Sequence, residues 1–84
     1  MSHFWMDPLP IGVDVDGEDQ PVAFRWENKR YQVEWIAAEW REDHGWWLEH
    51  TWRHTYRVVT CGGLLVEIYH DLTAGAWYLQ RVYD

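Results

Sequence analysis

The sequence predicts an all-β fold: a small antiparallel sheet of five or six strands, highly bent or closed as a barrel-like meander. Short runs of β-branched and aromatic residues recur at a spacing of about ten residues after position 20. Glycine-containing turn sequences separate several of these runs, and no repeat, linker or low-complexity tract interrupts residues 21–84. With 84 residues and one cysteine, the chain cannot form an internal disulfide. We therefore expect its eight tryptophans and five tyrosines to supply large core side chains, with some tryptophans left at the surface or in an interface.

Residues 1–20 differ from the rest in charge and in proline content. They contain five acidic residues and no lysine or arginine, whereas residues 21–84 are nearly balanced. We predict an acidic, proline-containing N-terminal arm over residues 1–20 and a single small β domain over residues 21–84. Two prolines argue against a regular element in residues 1–10, and residues 11–15 can form a first strand. Residues 14–19 resemble a calcium loop but lack its glycine and glutamate positions, so we predict a solvated turn.

The middle of the chain predicts a hairpin of residues 22–26 and 30–35 around a turn at residues 27–29. The following side chains are expected to face the core: Val22, Phe24, Trp26, Tyr31, Val33 and Trp35. Residues 36–42 fit a short helix or a bent continuation of the strand, and seven residues are few for a stable helix. We favour the bent strand, followed by a loop at residues 42–45. Trp46 and Trp47 then point to opposite faces of an extended segment, so one of them is expected to be a surface contact.

The last third of the chain predicts a three-stranded meander, and its register can be argued from side-chain patterns. A three-residue loop at residues 61–63 pairs Val58 with Val66, whereas a two-residue loop would place valine opposite a glutamate. Gly63 then takes the left-handed position of the turn. The second hairpin pairs Asp71 with Ala76, with Gly75 at positive φ. This register sends Trp77 and Leu79 to the core face together with Val66 and Ile68. It sends Glu67, Tyr69, Tyr78 and Gln80 to the opposite face.

No pattern in the sequence indicates catalysis or a bound cofactor. His50 and His54 lie roughly 13 Å apart if they share a strand, which is too far for one ion. A metal site that also used His44 and His70 would require the loops to converge, so we predict no metal. Cys61 lies in a turn with no evident base nearby. We predict a non-enzymatic protein without cofactors. Its free thiol and the lack of a membrane-span pattern favour a cytoplasmic location.

Four arginines fall in predicted strands, at positions 25, 53, 57 and 81. They can pair with Glu27, Glu34 and Glu67, or they can stack over aromatic rings as in protein interfaces. The second interpretation gives a candidate binding patch of Trp46, Trp47, Tyr69, Tyr78, Arg57 and Arg81. Its expected ligand is an unidentified protein, with the chain a monomer or a weak homodimer. Single-stranded nucleic acid is the alternative ligand, although the chain lacks an excess of positive charge.

A family resemblance rests on four strand-and-turn signatures in this tryptophan-rich chain: Tyr56-Arg-Val-x-Thr60, Tyr69-x-Asp71, Gly75-x-Trp77-Tyr-Leu79 and Arg81-Val-Tyr-Asp84. They resemble a small bacterial domain of unknown function that occurs alone. They also resemble the extreme C-terminal segment of the catalytically dead, Y-family-polymerase-like subunit of the bacterial mutasome. The resemblance covers roughly residues 21–84, and the turn Cys61-Gly62-Gly63 departs from its usual acidic pattern. It implies an accessory module linked to DNA-damage tolerance through partners, with no catalytic residue to transfer.

Overall fold

The computed structural model describes residues 2–43 and 52–83. These residues contain six antiparallel strands and no helix, which confirms the predicted all-β class. Consecutive strands are neighbours, and the last strand pairs with the first, so the meander closes into a barrel. The strands are β1 (Ser2–Val15), β2 (Pro21–Trp26), β3 (Lys29–Asp43), β4 (Trp52–Thr60), β5 (Leu65–Asp71) and β6 (Ala76–Tyr83).

Strand β1 closes the barrel because it pairs with both β2 and β6. Val13 lies opposite Phe24 of β2, and Ile11 lies opposite Trp77 of β6. The strand begins at Ser2 rather than at residue 11, so the expectation that two prolines exclude regular structure from residues 1–10 is wrong. The pairing of β1 with β6 shifts register between Phe4 and Leu9. Such an irregularity accommodates a proline that cannot donate to the sheet.

The two C-terminal hairpins have the predicted registers. Val58 pairs with Val66, the backbone N–H of Thr60 donates to the carbonyl of Leu64 (2.8 Å), and Gly63 has φ of 87°. In the second hairpin, Asp71 pairs with Ala76 and Gly75 has φ of 74°. The Asp71 carboxylate also accepts the backbone N–H groups of Thr73 and Ala74, at 2.9 and 3.0 Å. Both turns therefore follow from local residue chemistry.

The hairpin of β2 and β3 differs from the prediction in its turn. Trp26 pairs with Lys29, so the turn has two residues, Glu27 and Asn28, rather than three. Their φ angles are 53° and 62°, the signs expected in a type I′ turn. Asparagine tolerates this conformation well and glutamate does so less readily, which is why the sequence did not indicate it.

Strand β3 runs continuously from Lys29 to Asp43, so the bent-strand interpretation of residues 36–42 is correct. Glu42 and Asp43 extend the strand and do not belong to a loop. Two register shifts relative to β4 bend it, one between Val33 and Trp35 and one between Ile36 and Ala38. The first shift turns Trp35 outward, and it is 53% exposed. The prediction that Trp35 faces the core is therefore wrong, and so is that for Val22, which is 38% exposed.

The core is made mainly of aliphatic side chains. Its fully buried cluster consists of Phe24, Tyr56, Val58, Val66, Ile68, Leu79 and Val82. The fully buried cluster contains no tryptophan from the described part of the chain, although Trp26 and Trp77 pack against it. The narrow interior of a six-stranded barrel fits valine, isoleucine and leucine better than an indole ring. Among the described tryptophans, Trp26 and Trp77 lie at the margin of this core, whereas Trp35 and Trp52 are about half exposed. The expectation that tryptophans are mainly core residues is therefore wrong for this part of the chain.

Candidate functional site

A group of aromatic and arginine side chains covers the outside of the barrel on strands β3 to β6. We call it the arginine–aromatic face. Its members are Trp40, Arg53, Arg57, Glu67, Tyr69, Tyr78, Arg81 and Tyr83. Register explains why they meet: Glu67 lies between Arg57 and Arg81 on the neighbouring strands, and Tyr69 lies beside Tyr78.

A β-bulge in β6 shapes this face. Glu67 pairs with Arg81, whereas the next residue, Ile68, pairs with Leu79, so Gln80 is the extra residue. Strict alternation from Leu79 would send Arg81 into the core. The bulge instead turns Arg81 outward and sends Val82, which is 3% exposed, into the interior.

Glu67 is the buried centre of the face, since it is only 5% exposed although it points away from the core. Its carboxylate accepts hydrogen bonds from the Tyr83 hydroxyl, from Gln80 Nε2 at 3.1 Å and from an Arg57 terminal nitrogen at 3.4 Å. A buried carboxylate is tolerated when it is hydrogen-bonded in this way. Glu67 therefore links strands β4, β5 and β6 through their side chains.

The arginines lie over aromatic rings. The guanidinium carbon of Arg53 is 4.4 Å from the centre of the Tyr69 ring, and that of Arg81 is 4.5 Å from Tyr83. Arg57 lies 5.4 Å from the Trp40 ring and 5.6 Å from Tyr83. These distances fall within the range of cation–π contacts. The outermost groups over these rings are therefore guanidinium groups.

The tyrosines of the face are packed against one another and against the arginines. Tyr69 is 3% exposed, and its ring centre lies 5.2 Å from that of Tyr78. Burial raises the pKa of Tyr69, and the positive charge of Arg53 opposes this effect. Burial also raises the pKa of Tyr83, and the hydrogen bond with Glu67 raises it further. Both hydroxyls therefore remain protonated at neutral pH and can donate hydrogen bonds.

Four of the six residues proposed from the sequence as a patch lie together on this face: Arg57, Arg81, Tyr69 and Tyr78. Trp46 and Trp47 lie outside the described residues. The predicted patch did not include four members of the face: Trp40, Arg53, Glu67 and Tyr83. Tyr83 could have been found by its alternation with Arg81, whereas Trp40 faces outward because of the register shifts in β3.

The fourth arginine of the predicted strands lies elsewhere. Arg25 forms an ion pair with Asp14 at 3.2 Å, rather than with Glu27 or Glu34, and Arg30 approaches the same carboxylate at 3.6 Å. Of the predicted glutamate pairings, the one between Arg57 and Glu67 is present, at 3.4 Å. Arg25 and Arg30 therefore offer charge-matched controls for experiments on the arginine–aromatic face.

The turn after β1 is held by its own aspartate. The Asp16 carboxylate accepts the backbone N–H groups of Glu18 and Gln20, at 2.8 and 3.0 Å. The residues of this turn are mostly exposed, as a solvated turn requires. In the described part of the chain, no three His, Cys, Asp or Glu side chains are grouped so that they could hold a metal ion.

A second group of rings lies at one end of the barrel, where His54 pairs with His70 across β4 and β5. The His54 ring stacks on Tyr56 at 4.2 Å, and its Nδ1 is 3.0 Å from the Tyr56 hydroxyl. The His70 ring is parallel to that of Trp77 at 4.4 Å. Burial lowers the pKa of His54, and Glu39, 3.8 Å from its Nε2, opposes the shift. These contacts account for both histidines as packed side chains.

Other candidate sites are simpler. Cys61 is an exposed thiol in its turn. An open depression of about 420 Å³ lies at the β2–β3 hairpin and is lined by its turn residues, outside the packed interior of the barrel. Among the described residues there is no helix with the length and hydropathy that a membrane crossing requires.

Comparison with known proteins identifies a family for nearly the whole chain. The sequence model of a family described as a domain of unknown function (DUF6504) matches residues 2–84. The match includes β1, which the sequence resemblance had left out. No curated protein and no solved structure matches the chain.

Proposed function

The chain belongs to the DUF6504 family, a domain of unknown function, and from this premise we propose that it is a non-enzymatic accessory module that binds a protein partner through the arginine–aromatic face. The observation that carries the proposal is the stacking of three arginines over aromatic rings around the buried Glu67. Arginine, tyrosine and tryptophan are the residue types that dominate the energetics of protein interfaces.

The packing of this face supports recognition of a protein. Arg53 and Arg57 are each held against a ring, so less side-chain entropy is lost when a partner binds them. Closure of the six strands into a barrel disfavours dimerisation by sheet extension, because it removes the strand edges that such pairing uses. A partner therefore meets side chains rather than backbone.

Single-stranded nucleic acid is the second candidate ligand, and the same geometry disfavours it. Platforms for single strands offer open aromatic faces on which bases stack, together with a positive groove. Here Tyr69 is buried beneath Arg53 and beside Tyr78. The acidic Glu67 also lies between Arg57 and Arg81, so the arginines do not form the continuous positive groove that a phosphate backbone follows.

The wider role that we propose is an accessory one in bacterial DNA-damage tolerance, in the cytoplasm. It is motivated by the resemblance of the C-terminal strands to the last segment of the mutasome subunit. In this role the module would bring a partner to the assembly and would carry out no reaction itself.

Affinity capture with matched variants tests the proposal. The variant R57Q/Y78A alters the face, and the control R25Q/R30Q removes two arginines from the β2–β3 hairpin. We expect the proteins captured by the wild type to be lost with the face variant and kept with the control. Retention of every captured protein by the face variant would contradict the proposal.

An NMR titration with oligothymidine at low salt tests the alternative ligand. The Trp40 indole N–H is a suitable reporter because it donates to Glu42 at 2.8 Å beside Arg57. We expect no shift of this signal. A shift that added salt reverses would favour single-stranded nucleic acid as the ligand.

A further inference from the structure

We propose that the arginine–aromatic face receives an extended acidic segment of the partner protein, with two carboxylates four residues apart, lying along β4 and pairing with Arg53 and Arg57. This inference rests on the proposed function and names the chemistry of its ligand. Three observations carry it: the charge left over on these arginines, their spacing, and the surroundings of the residue between them.

The first observation is that the two arginines have unused capacity for anions. In the described part of the chain, Arg53 contacts the Tyr69 ring and has no carboxylate within 4.0 Å. Arg57 has one long contact, 3.4 Å, to Glu67, whose oxygens already accept from Tyr83 and Gln80. The Nε atoms of both arginines are buried, so a carboxylate would bind through the terminal N–H groups of each guanidinium group.

The second observation is spacing. Arg53 and Arg57 point to the same side of β4 because they are four residues apart in an extended strand. Four residues of strand span roughly 13 Å. An extended peptide has the same repeat, so its residues at positions i and i+4 have the same spacing as the backbone positions of the two arginines. A helical peptide would place those positions roughly 6 Å apart and would not match.

The third observation concerns Thr55, which lies between the two arginines. It is 1% exposed, and its hydroxyl already donates to Glu42 at 3.3 Å. The ligand residue midway between the two carboxylates, at position i+2, would lie over Thr55 and would find no free polar partner there. We expect a small or apolar residue at that position, which gives the pattern acidic-x-small-x-acidic.

We expect these arginines to recognise carboxylates by hydrogen-bond geometry and not only by attraction between opposite charges. A planar guanidinium group binds a carboxylate through two parallel hydrogen bonds, which a lysine ammonium group cannot reproduce. Replacing Arg53 and Arg57 by lysine keeps the charge and removes this geometry. The double variant R53K/R57K therefore separates paired recognition from simple attraction of charge.

The test is an NMR titration, which detects weak binding. The probes are a 12-residue peptide of serine and valine with glutamates at positions 4 and 8, and a permuted peptide with adjacent glutamates. We expect the first peptide to move the side-chain Nε–H signals of Arg53 and Arg57. We expect the permuted peptide and R53K/R57K each to weaken binding on the order of tenfold. The control variant R25K/R30K should bind as the wild type does.

Three outcomes of the titration would overturn the inference: equal binding of both peptides, unchanged binding by R53K/R57K, or tighter binding of an oligothymidine. Concentration-dependent sedimentation that R53K/R57K abolishes would also overturn it, by assigning the face to a second copy of this chain. If the peptides fail but R57Q/Y78A still loses its captured partner, only the acidic segment is refuted. If that variant also keeps its partner, the proposed function fails as well.

Discussion

Replacement of Glu67 by glutamine is the sharpest test of how the arginine–aromatic face is held together. Glutamine has nearly the same volume but no charge, and only one of its two terminal atoms accepts hydrogen bonds. The change weakens the hydrogen bonds that the Tyr83 hydroxyl and the Gln80 amide donate to residue 67. It also places an amide N–H₂ group where one of these two donors now finds a carboxylate oxygen. Hydrogen bonds to a charged group contribute about 1.5–3 kcal/mol each, whereas the contact with Arg57, 39% exposed, adds little.

We therefore expect E67Q to lower the free energy of unfolding by about 2–3 kcal/mol. In a domain of this size, that corresponds to a fall in Tm of roughly 10–20 °C. Urea denaturation followed by tryptophan fluorescence measures the change, and E34Q at an exposed position of β3 is the control. The pKa of Tyr83 should also fall part of the way toward its usual value, because burial remains when the charge is removed. A change in stability below about 0.5 kcal/mol, no larger than at a typical surface site, would refute this account of Glu67.

Three further predictions concern pH, a turn and the core. Burial holds the pKa of His54 below 6.5, so the unfolded chain binds more protons than the folded chain as pH falls below 6.5. Stability should therefore decline as the pH falls from 6.5 through the folded-state pKa, and H54N should flatten that dependence in urea titrations at several pH values. G63A should destabilise the protein by about 1–2 kcal/mol because Gly63 has φ of 87°. G62A should have little effect in the same urea assay, because a Cβ at position 62 would lie no closer than 3.9 Å to a neighbouring atom. L79A should cost about 2–5 kcal/mol by calorimetry because Leu79 is fully buried, and similar values for L79A and the exposed L72A would contradict the assigned core.

The registers of the two C-terminal hairpins could be predicted because short-range chemistry determines them. Gly63 and Gly75 permit positive φ, and Asp71 caps its own turn, so each turn length follows from a few neighbouring residues. Alternation along the strands then assigned Tyr69 and Tyr78 to the outer face. These parts of the candidate site needed no knowledge of distant strands.

The errors about which side chains face outward have a common physical origin, because these orientations depend on contacts between separate strands. The sequence around Trp35 alternates as a regular strand does, yet a register shift against β4 turns its ring outward. Arg81 was included in the patch although strict alternation would have buried it, and the bulge at Gln80 supplies the reason that it faces outward. A bulge forms where packing on both faces of a sheet favours it, so one strand does not reveal it.

The amino-acid sequence by itself determined the all-β class, and the order of the last three strands with the turns between them. These features depend on residues that are neighbours along the chain. Only the tertiary structure decided that β1 pairs with β6, that Glu67 is buried on the outside of the barrel, and that the arginines lie over the aromatic rings. These features depend on residues that are far apart in sequence, and their free energy comes from burial and charge pairing that exist only after the barrel has closed.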